Sequence, residues 1–366
     1  MKLDDLRDLF PALREVTYLN TATAALGATP VVEALRAAED EWASGEFSWQ
    51  AWETAGAEPT RDIFARLVGG RGEHVGLYGS VSAAAASVAA SLEPGRIVVG
   101  SREFQSNLFP WLALERRGFE VVQVPATEGV VRTDALIEAI DEGTMLVAVS
   151  EVQSANGFRV HLAEIAQACK AHGAQLFLDA IQSLGALEYV PGADYVASHG
   201  YKWLLAPRGA AWMWVTPDRL NDLYPLAPSW KNVPEPYADY YGGPIELPEH
   251  GRRLDMSLAW LTWPGALAAL RIIDDLDPAE VEERCLSLAR EFREEAGRRS
   301  FKLVPEDAPS QIQALSVPDP AALKARLSER RVIGAIRDGS FRVGFHAYND
   351  ERDLATALDA LGRPDG

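Results

Sequence analysis

The sequence predicts an α/β fold in which helices cover both faces of a mostly parallel sheet. Between residues 75 and 215, short apolar runs alternate with stretches of helical periodicity, and this alternation is typical of strand–helix units. The chain has 366 residues, more than a single hydrophobic core usually supports, so a second domain is expected. An aperiodic stretch at residues 216–253 separates the alternating region from a more helical C-terminal part.

The predicted elements follow in order along the chain. After a short amphipathic lead-in, residues 30–68 are predicted to be helical throughout. Seven strands are predicted, at 75–78, 96–99, 120–124, 145–149, 175–178, 195–197 and 209–215. The helices between them are predicted at 82–92, 107–117, 133–140 and 162–172. A long helical region at 260–298 and a final helix at 350–361 complete the prediction.

The domain boundary is expected in the aperiodic stretch, which is rich in proline, glycine, tyrosine and tryptophan. Such a stretch is typical of a functional loop or a domain crossing. We therefore predict a large α/β domain at residues 16–250 and a small α+β domain formed by residues 1–15 and 251–366.

The composition limits the classes of partner. Lys and Arg number 35 against 53 Asp and Glu, so the formal net charge is −18. Nucleic acids and anionic membranes bind clustered cations, and we expect neither as a partner. An anionic cofactor stays compatible, because helix ends and local donors can hold a buried phosphate.

The cysteines predict the absence of a metal site, and the hydropathy bears on the location of the protein. Cys169 and Cys285 lie in helical patterns without metal-ligand spacing, so we expect packing thiols and no metal site. The chain opens without a signal-peptide pattern, and no apolar run reaches about 18 residues. We therefore expect a cytoplasmic protein.

An aspartate and a lysine follow two successive strands of the predicted sheet. Asp179 ends the apolar run in Leu-Phe-Leu-Asp-Ala-Ile-Gln-Ser (176–183), and Lys202 lies in the polar turn Ser-His-Gly-Tyr-Lys-Trp-Leu (198–204). In pyridoxal phosphate chemistry an amine forms a Schiff base with the cofactor, and a carboxylate keeps the ring nitrogen protonated. Taken alone, the pair also fits a surface lysine and a capping aspartate. The residues around it favour the catalytic interpretation.

Further polar or aromatic groups are expected at the same carboxyl edge of the sheet. The turn Tyr-Gly-Ser-Val-Ser (78–82) precedes a small-residue helix and predicts an anion site or a serine N-cap. Phe104 follows a predicted strand and is either near a ligand or a core aromatic. The segment 150–157 supplies amides and hydroxyls, and Gln182 opens the next helix. Arg342, in a strand-like run, can bind a carboxylate bidentately or form a surface ion pair.

The chain resembles the class V aminotransferase family of fold-type-I pyridoxal phosphate enzymes, which includes cysteine desulfurases, isopenicillin N epimerase-like proteins and C–S lyases. The resemblance extends from Tyr-Leu-Asn-Thr-Ala-Thr (18–23) to Tyr-Asn-Asp-Glu-Arg-Asp-Leu (348–354), and its most specific part is the spaced run at 162–209. It implies the fold-type-I architecture, pyridoxal phosphate as cofactor and a small-molecule amino-acid substrate. It also implies a homodimer whose active sites are shared across a two-fold interface.

The resemblance assigns a role to each candidate residue by its position. Lys202 matches the Schiff-base lysine, Asp179 the partner of the pyridinium nitrogen and Gln182 the contact of the phenolic oxygen. Arg342 matches the arginine that takes the substrate α-carboxylate, and Asn20 is expected on the substrate side. The other implied cofactor-binding residues are Ser80, Val81 and Ser82 at the phosphate turn, Phe104 at the ring-stacking position, Ser154, the phosphate ligands His199 and Tyr201, and Ser257, which the partner subunit adds.

Two departures from the family pattern bear on the reaction. The ring-stacking position, often histidine, is Phe104, which cannot move a proton, so Lys202 would have to serve as both general base and general acid. Desulfurases carry their sulfur-accepting cysteine on a loop shortly before the carboxylate-binding arginine. Here residues 332–341 run straight through without a cysteine, so persulfide-forming desulfuration is not expected.

The sequence therefore predicts a pyridoxal phosphate-dependent lyase that cleaves the C–S bond of a cysteine S-conjugate, by β-elimination or by decarboxylation-coupled deamination. Transamination and epimerisation stay open, because the bond that breaks is the one perpendicular to the ring and the sequence does not fix it. Outside catalysis, the alternative is a silent binding protein of the same fold. The aromatic residues at 224–241 suggest a pocket for a bulky substrate or a dimer interface.

Overall fold

A seven-stranded sheet forms the centre of the protein, as the sequence predicted. The structure is a computed structural model that describes residues 1–337 and 339–362. The strands in these residues are β1 (Thr17–Tyr18), β2 (Val75–Tyr78), β3 (Arg96–Gly100), β4 (Glu120–Val124), β5 (Thr144–Ser150), β6 (Gln175–Asp179), β7 (Tyr195–His199), β8 (Ala211–Val215), β9 (Ile312–Ser316), β10 (Val332–Ile333), β11 (Ala335–Arg337) and β12 (Ser340–Gly344).

The strand order of the central sheet is β2-β8-β7-β6-β5-β3-β4. Strand β8 runs antiparallel to both of its neighbours, and all the other pairs are parallel. This confirms the predicted fold class. The register pairs Ser150 with Asp179 and Asp179 with Ala197, so the carboxyl ends of β5, β6 and β7 meet at one edge. Ligands of open α/β sheets bind at that edge.

Helices cover the sheet on both faces. They are α1 (Thr29–Ser44), α2 (Trp49–Ala51), α3 (Pro59–Leu67), α4 (Val81–Ser91), α5 (Gln105–Leu112), α6 (Thr133–Glu138), α7 (Leu162–His172), α8 (Pro217–Leu220), α9 (Thr262–Asp274), α10 (Pro278–Arg298), α11 (Pro320–Glu329) and α12 (Glu351–Leu361). A π-helical turn at Trp52–Ala57 joins α2 to α3, and 3-10 turns lie at Leu3–Leu9, Pro11–Arg14, Gly72–His74, Ala113–Arg117 and Gly251–Leu254.

Two regions that were predicted to be continuously helical are interrupted. Residues 30–68 form several helices because Gly45 adopts a left-handed φ of 78° and ends α1. Glycine accepts this conformation without a side-chain clash. Residues 260–298 are divided between α9 and α10, since the Asp277 side chain caps α10 by accepting hydrogen bonds from the amides of Ala279 at 2.9 Å and Glu280 at 3.3 Å.

The C-terminal part of the chain builds a smaller α+β structure. Strands β11, β12 and β9 form an antiparallel sheet, and β1 pairs in parallel with β10. Helices α10, α11 and α12 pack on these strands around a core that includes Phe292, Phe341 and Phe345. Helix α9 instead packs against α1. The division of the chain at residues 250 and 251 stays a prediction.

The aperiodic stretch brings aromatic rings together. We call Trp49, Trp230, Tyr237, Tyr240 and Trp260 the aromatic cluster; Trp49 contacts the other four rings at centroid distances of 5.2–6.3 Å. Tyr240 and Trp260 are exposed in the single chain. The cluster therefore joins the region after α1 to the aperiodic stretch and to the start of α9.

The cysteines are buried, as predicted for packing thiols. Cys169 lies in α7 and Cys285 in α10, and burial raises the pKa of the Cys169 thiol to about 12. Among the residues that the structure describes, no helix is both long enough and apolar enough to cross a bilayer.

Candidate active site

Lys202 lies in the turn that follows β7. Its side chain is only 4% exposed, and its amine has no hydrogen-bond partner among the described residues. The Lys202 Nζ atom lies 5.7 Å from the ring centroid of Phe104 and 5.6 Å from that of Tyr201. Burial lowers the pKa of Lys202, the nearby Arg342 and Arg337 lower it further, and Asp179 opposes them. The amine is thereby disposed to lose its proton near neutrality.

Asp179 is the last residue of β6 and is 2% exposed. Its Oδ1 atom accepts a hydrogen bond from the Ile181 amide at 2.9 Å. Burial is the main cause that raises the pKa of Asp179; Glu103 adds to it, whereas the Ile181 amide and Lys202 lower it. A buried carboxyl with this environment is stabilised as an anion only when a cation lies against it.

A cavity of about 520 Å³ opens in front of Lys202. Three of the predicted cofactor-binding residues, Phe104, Ser154 and Tyr201, line it together with Lys202. The other lining residues are Ala22, Thr23, Ala24, Ala25, Leu26, Gly27, Val31, Val32, Leu35, Leu205, Ala206, Pro207, Arg208 and Arg337. Phe104 is 49% exposed, so its ring is available for stacking on a ligand.

The predicted phosphate turn is the start of α4. Ser80 is the N-cap: its Oγ accepts from the Ala83 amide at 3.2 Å and lies 3.0 Å from Oγ of Ser82. The amides of Val81 and Ser82 have no intrahelical acceptor because they belong to the first helical turn. The serine cap and an anion site are therefore compatible at this helix start.

Gln182, Ser154 and Arg342 form one connected wall. Gln182 donates from Nε2 to the Ala22 carbonyl and to Ser154 Oγ, both at 3.0 Å, and its Oε1 accepts from Trp203 Nε1 at 2.8 Å. Arg342 is buried and donates from Nη1 to the Ser154 carbonyl. Both amide hydrogens of Gln182 are thus engaged, so a contact with a cofactor oxygen would replace one of these bonds.

His199 and Tyr201 lie on either side of Gly200. His199 accepts a hydrogen bond at Nε2 from the Gly209 amide at 3.2 Å, and its ring stands edge-on to that of Tyr201 with centroids 4.5 Å apart. Burial, then the charges of Arg208 and Lys202, lower the pKa of His199 to about 4. His199 is therefore neutral near pH 7 and can act at a phosphate only through hydrogen bonds.

Only Phe104, Ser154, Tyr201 and Lys202 of the predicted site residues line the cavity; Asn20 and Ser257 lie outside it and outside the groups described above. Asn20 is half-buried, forms a bridge with Gly344, and has an Oδ1 atom without a partner among the described residues. Ser257 is exposed and follows Met256, whose amide donates to the Leu77 carbonyl at 3.0 Å. The single chain does not bring Ser257 to Lys202, and its contact with a partner's cofactor stays a prediction.

Sequence reasoning missed Glu103, which directly precedes Phe104. The Glu103 carboxyl accepts from the Ser150 amide at 2.8 Å, from Ser150 Oγ at 2.5 Å and from Asn107 Nδ2 at 3.2 Å. Burial raises the pKa of Glu103. Its only signal in the sequence was its place after a strand, beside a candidate. Glu103 ties the start of α5 to the end of β5 and so holds Phe104 at the cavity.

The residues present fit pyridoxal phosphate. Among the described residues no cation contacts the buried Asp179 carboxyl directly, and a protonated ring nitrogen would supply one; the Lys202 amine lines the cavity and has no hydrogen-bond partner among them. Phe104 offers a face for the ring, and the open amides at the start of α4 suit a phosphate. These residues would hold the group; their individual roles stay predictions.

Comparison with known proteins agrees with this fit. The Aminotransferase class-V family matches residues 17–311. The uncharacterized aminotransferase YcbU of Bacillus subtilis is 25% identical over 98% of this chain and 97% of its own length. The isopenicillin N epimerase of Streptomyces clavuligerus is 29% identical over 82% of this chain and 83% of its own.

Solved structures share the fold. The complex of the cystine C-S lyase C-DES with its reaction product cysteine persulfide superposes with a TM-score of 0.84 at 21% identity, covering 96% of this chain and 98% of that one. The match to the family extends over most of the chain. The chain therefore belongs to the class-V aminotransferase family, whose members are pyridoxal phosphate-dependent enzymes that act on amino acids.

Proposed function

We propose that the protein cleaves the C–S bond of a cysteine S-conjugate by β-elimination and releases a thiol, pyruvate and ammonia. The observation that carries this proposal is the position of the two cysteines of the chain. Cys169 and Cys285 are buried in α7 and α10, and neither lines the cavity at Lys202. No cysteine of the chain therefore lies where its thiol could accept the sulfur atom of the substrate. The sulfur would instead leave together with its substituent, as a free thiol.

Lys202 is the group that would move protons. Its lowered pKa favours a neutral amine, and Phe104, at the stacking position, cannot titrate. When bound, pyridoxal phosphate supplies the electron sink that acidifies the α-carbon of the amino acid. Lys202 Nζ would take the α-proton and return a proton to the sulfur as the Cβ–S bond breaks. Water then releases ammonium and pyruvate, so atoms and charge balance.

Two other side chains would fix the reacting groups. Asp179 would hold the proton on the ring nitrogen, because its buried carboxyl is stabilised as an anion by that charge. Arg342 would bind the α-carboxylate bidentately: its two terminal nitrogens donate to the Ser154 carbonyl and to Thr23 Oγ1, residues that line the cavity, and the carboxylate would replace these bonds. Decarboxylation-coupled deamination would use the same residues.

A homodimer is part of the proposal. Tyr240 and Trp260 of the aromatic cluster are exposed, and so are Tyr241 and Ile245, which follow Tyr240 in the chain; Tyr241 is 88% exposed. Aromatic side chains are enriched at protein–protein interfaces. A dimer contact here would cover them, and light scattering coupled to size-exclusion chromatography would measure the mass of the assembly.

The experiment supplies the cofactor-loaded protein with an S-alkyl-L-cysteine and measures thiol and pyruvate separately. We expect both products in equal amounts. Lys202→Ala should abolish them, whereas Lys170→Ala, an exposed lysine of α7, should not. Borohydride reduction followed by peptide mapping should find the cofactor mass on Lys202.

Other products would contradict β-elimination. A sulfur-containing keto acid with an aminated cofactor would establish transamination. Exchange or inversion at the α-carbon without thiol release would establish epimerisation. Bound cofactor without turnover of any amino acid would leave a silent binding protein.

A further inference from the structure

The cavity at Lys202 contains more positive charge than an amino-acid head group requires. Besides Lys202, whose lowered pKa favours a neutral amine, the two arginines Arg208 and Arg337 line it, and no acidic side chain of the described residues does. The chain as a whole is acidic, with a formal net charge of −18. Cations gathered in one cleft without counter-charges attract anionic ligands.

The strand register places Arg337 beside Arg342. Ala335 pairs with Arg342 and Arg337 pairs with Ser340, so Arg337 and Arg342 are diagonal neighbours on one face of the small sheet. Both guanidinium groups donate to Oγ1 of Thr23, Arg342 at 2.8 Å and Arg337 at 3.3 Å. Burial and the charge of Arg337 lower the pKa of Arg342 to about 10.

Neither Arg337 nor Arg208 has an ion-pair partner among the residues that the structure describes, and both are exposed to the cavity mouth. The Arg208 guanidinium lies 5.5 Å from the ring centroid of Tyr201, the same ring that Lys202 approaches. One α-carboxylate needs one bidentate arginine. If Arg342 takes that carboxylate, the charges of Arg337 and Arg208 are left for another group.

We propose that Arg337, with Arg208, forms a second anion subsite that binds an acidic group on the sulfur substituent of the substrate. The substrate class is then a cysteine S-conjugate whose leaving thiol carries a carboxylate or a sulfonate. Val31, Val32 and Leu35 line the same cavity and suit the apolar atoms between sulfur and acid. The assignment of the acidic group to the part of the substrate that leaves with the sulfur rests on the proposed C–S cleavage.

The test measures binding without chemistry. Two amine-free thioethers, 3-(carboxymethylthio)propanoate and 3-(carbamoylmethylthio)propanoate, have nearly the same shape and differ by the distal charge. Calorimetric titration of the cofactor-loaded protein should show that the diacid binds about tenfold or more tightly than the amide. A ratio of this size is expected when one hydrogen bond to a charged group is gained. Arg337→Gln should reduce that ratio to below about threefold and leave the affinity for the amide unchanged.

Matched variants separate the subsite from general damage. Arg337→Lys keeps the charge and should keep most of the preference, and Arg116→Gln, an exposed arginine outside the cavity, should keep all of it. Arg208→Gln should weaken the preference in the same direction as Arg337→Gln. Equal affinities of wild-type protein for the two thioethers would overturn the proposal. Loss of bound cofactor in Arg337→Gln and Arg208→Gln would overturn it too, because the arginines would then serve the phosphate.

A parallel assay distinguishes this inference from the proposed function. S-carboxymethyl-L-cysteine and S-carbamoylmethyl-L-cysteine are supplied as substrates, and thiol release is followed. If the diacid binds selectively but neither conjugate yields thiol, the subsite stands and the proposed C–S cleavage fails. If both conjugates yield thiol with the same kcat/KM, C–S cleavage stands and the subsite fails.

Discussion

The buried ion pair between Glu53 and Lys231 predicts a large and specific effect on stability. Lys231 Nζ lies 2.9 Å from Glu53 Oε2, and the two side chains are 0% and 1% exposed. Glu53 also accepts hydrogen bonds from Trp260 Nε1 at 2.8 Å and from the Tyr237 hydroxyl at 3.1 Å. The ion pair therefore lies under the aromatic cluster and connects the three chain segments that supply the rings of the cluster.

Glu53→Gln removes the charge and keeps the size and an acceptor for Trp260. It removes the carboxylate that contacts the buried Lys231 ammonium and leaves only the weaker influence of the Glu58 charge, and breaking a buried pair in this way costs about 3–5 kcal/mol of unfolding free energy. Removing both charges in Glu53→Gln/Lys231→Met should recover at least about 2 kcal/mol of that loss, because no uncompensated ion remains.

The measurement is urea unfolding of the cofactor-loaded protein, followed by tryptophan fluorescence at one protein concentration. The double variant is compared with each single variant in a double-mutant cycle. Asp274→Asn, which breaks the exposed Arg66–Asp274 pair, is the control and should cost at most about 1 kcal/mol. If Glu53→Gln is as mild as this control, or if the double variant is less stable than both singles, the reasoning is wrong.

Two further predictions concern the site and its support. Asp179→Asn keeps an acceptor for the Ile181 amide but loses the charge, so kcat/KM should fall by about 100-fold or more. Asp179→Glu keeps the charge and should retain more activity. An Asn variant within about tenfold of the wild-type kcat/KM would refute the role of the charge. His346 is fully buried, its Nε2 lies 3.0 Å from the Trp203 carbonyl, and burial lowers its pKa from 6.5 to about 4. The unfolded chain therefore binds the proton more tightly, and stability is lost as pH falls from 6.5 towards 4; by pH 5 this one group contributes a loss of about 2 kcal/mol. His346→Phe should show a shallower decline over this range in urea unfolding at pH 7 and pH 5, and an equal slope would contradict the assignment.

Much of the fold could be predicted because the strands and helices leave recognisable patterns in short stretches of the sequence. Each strand of the central sheet is a short apolar run, and the predicted helix at 162–172 has the observed bounds. The reversed direction of β8 and the breaks inside the long helical regions were not predicted. Strand direction depends on where the preceding turn returns the chain, and the break after α1 depends on one glycine that could also have been tolerated inside a helix.

Some residues of the candidate site could likewise be predicted from the sequence, and others could not. Asp179 and Lys202 were identified from sequence, since each follows a strand and parallel strands end at a common edge. Glu103 was missed because its importance comes from Ser150, 47 positions away, which only the packing of α5 against β5 brings to it.

Local sequence patterns predicted the succession of strands and helices along the chain, carried the family resemblance and singled out Asp179 and Lys202 as candidate residues. The packing of the elements was needed to show that Arg337 lies beside Arg342, that no acidic side chain among the described residues lines the cavity, and that Glu53 pairs with Lys231. Periodicity and residue type act within a few positions of the chain. Contacts between distant residues depend on strand register and on which side chains share a face, and these are fixed only when the elements pack together.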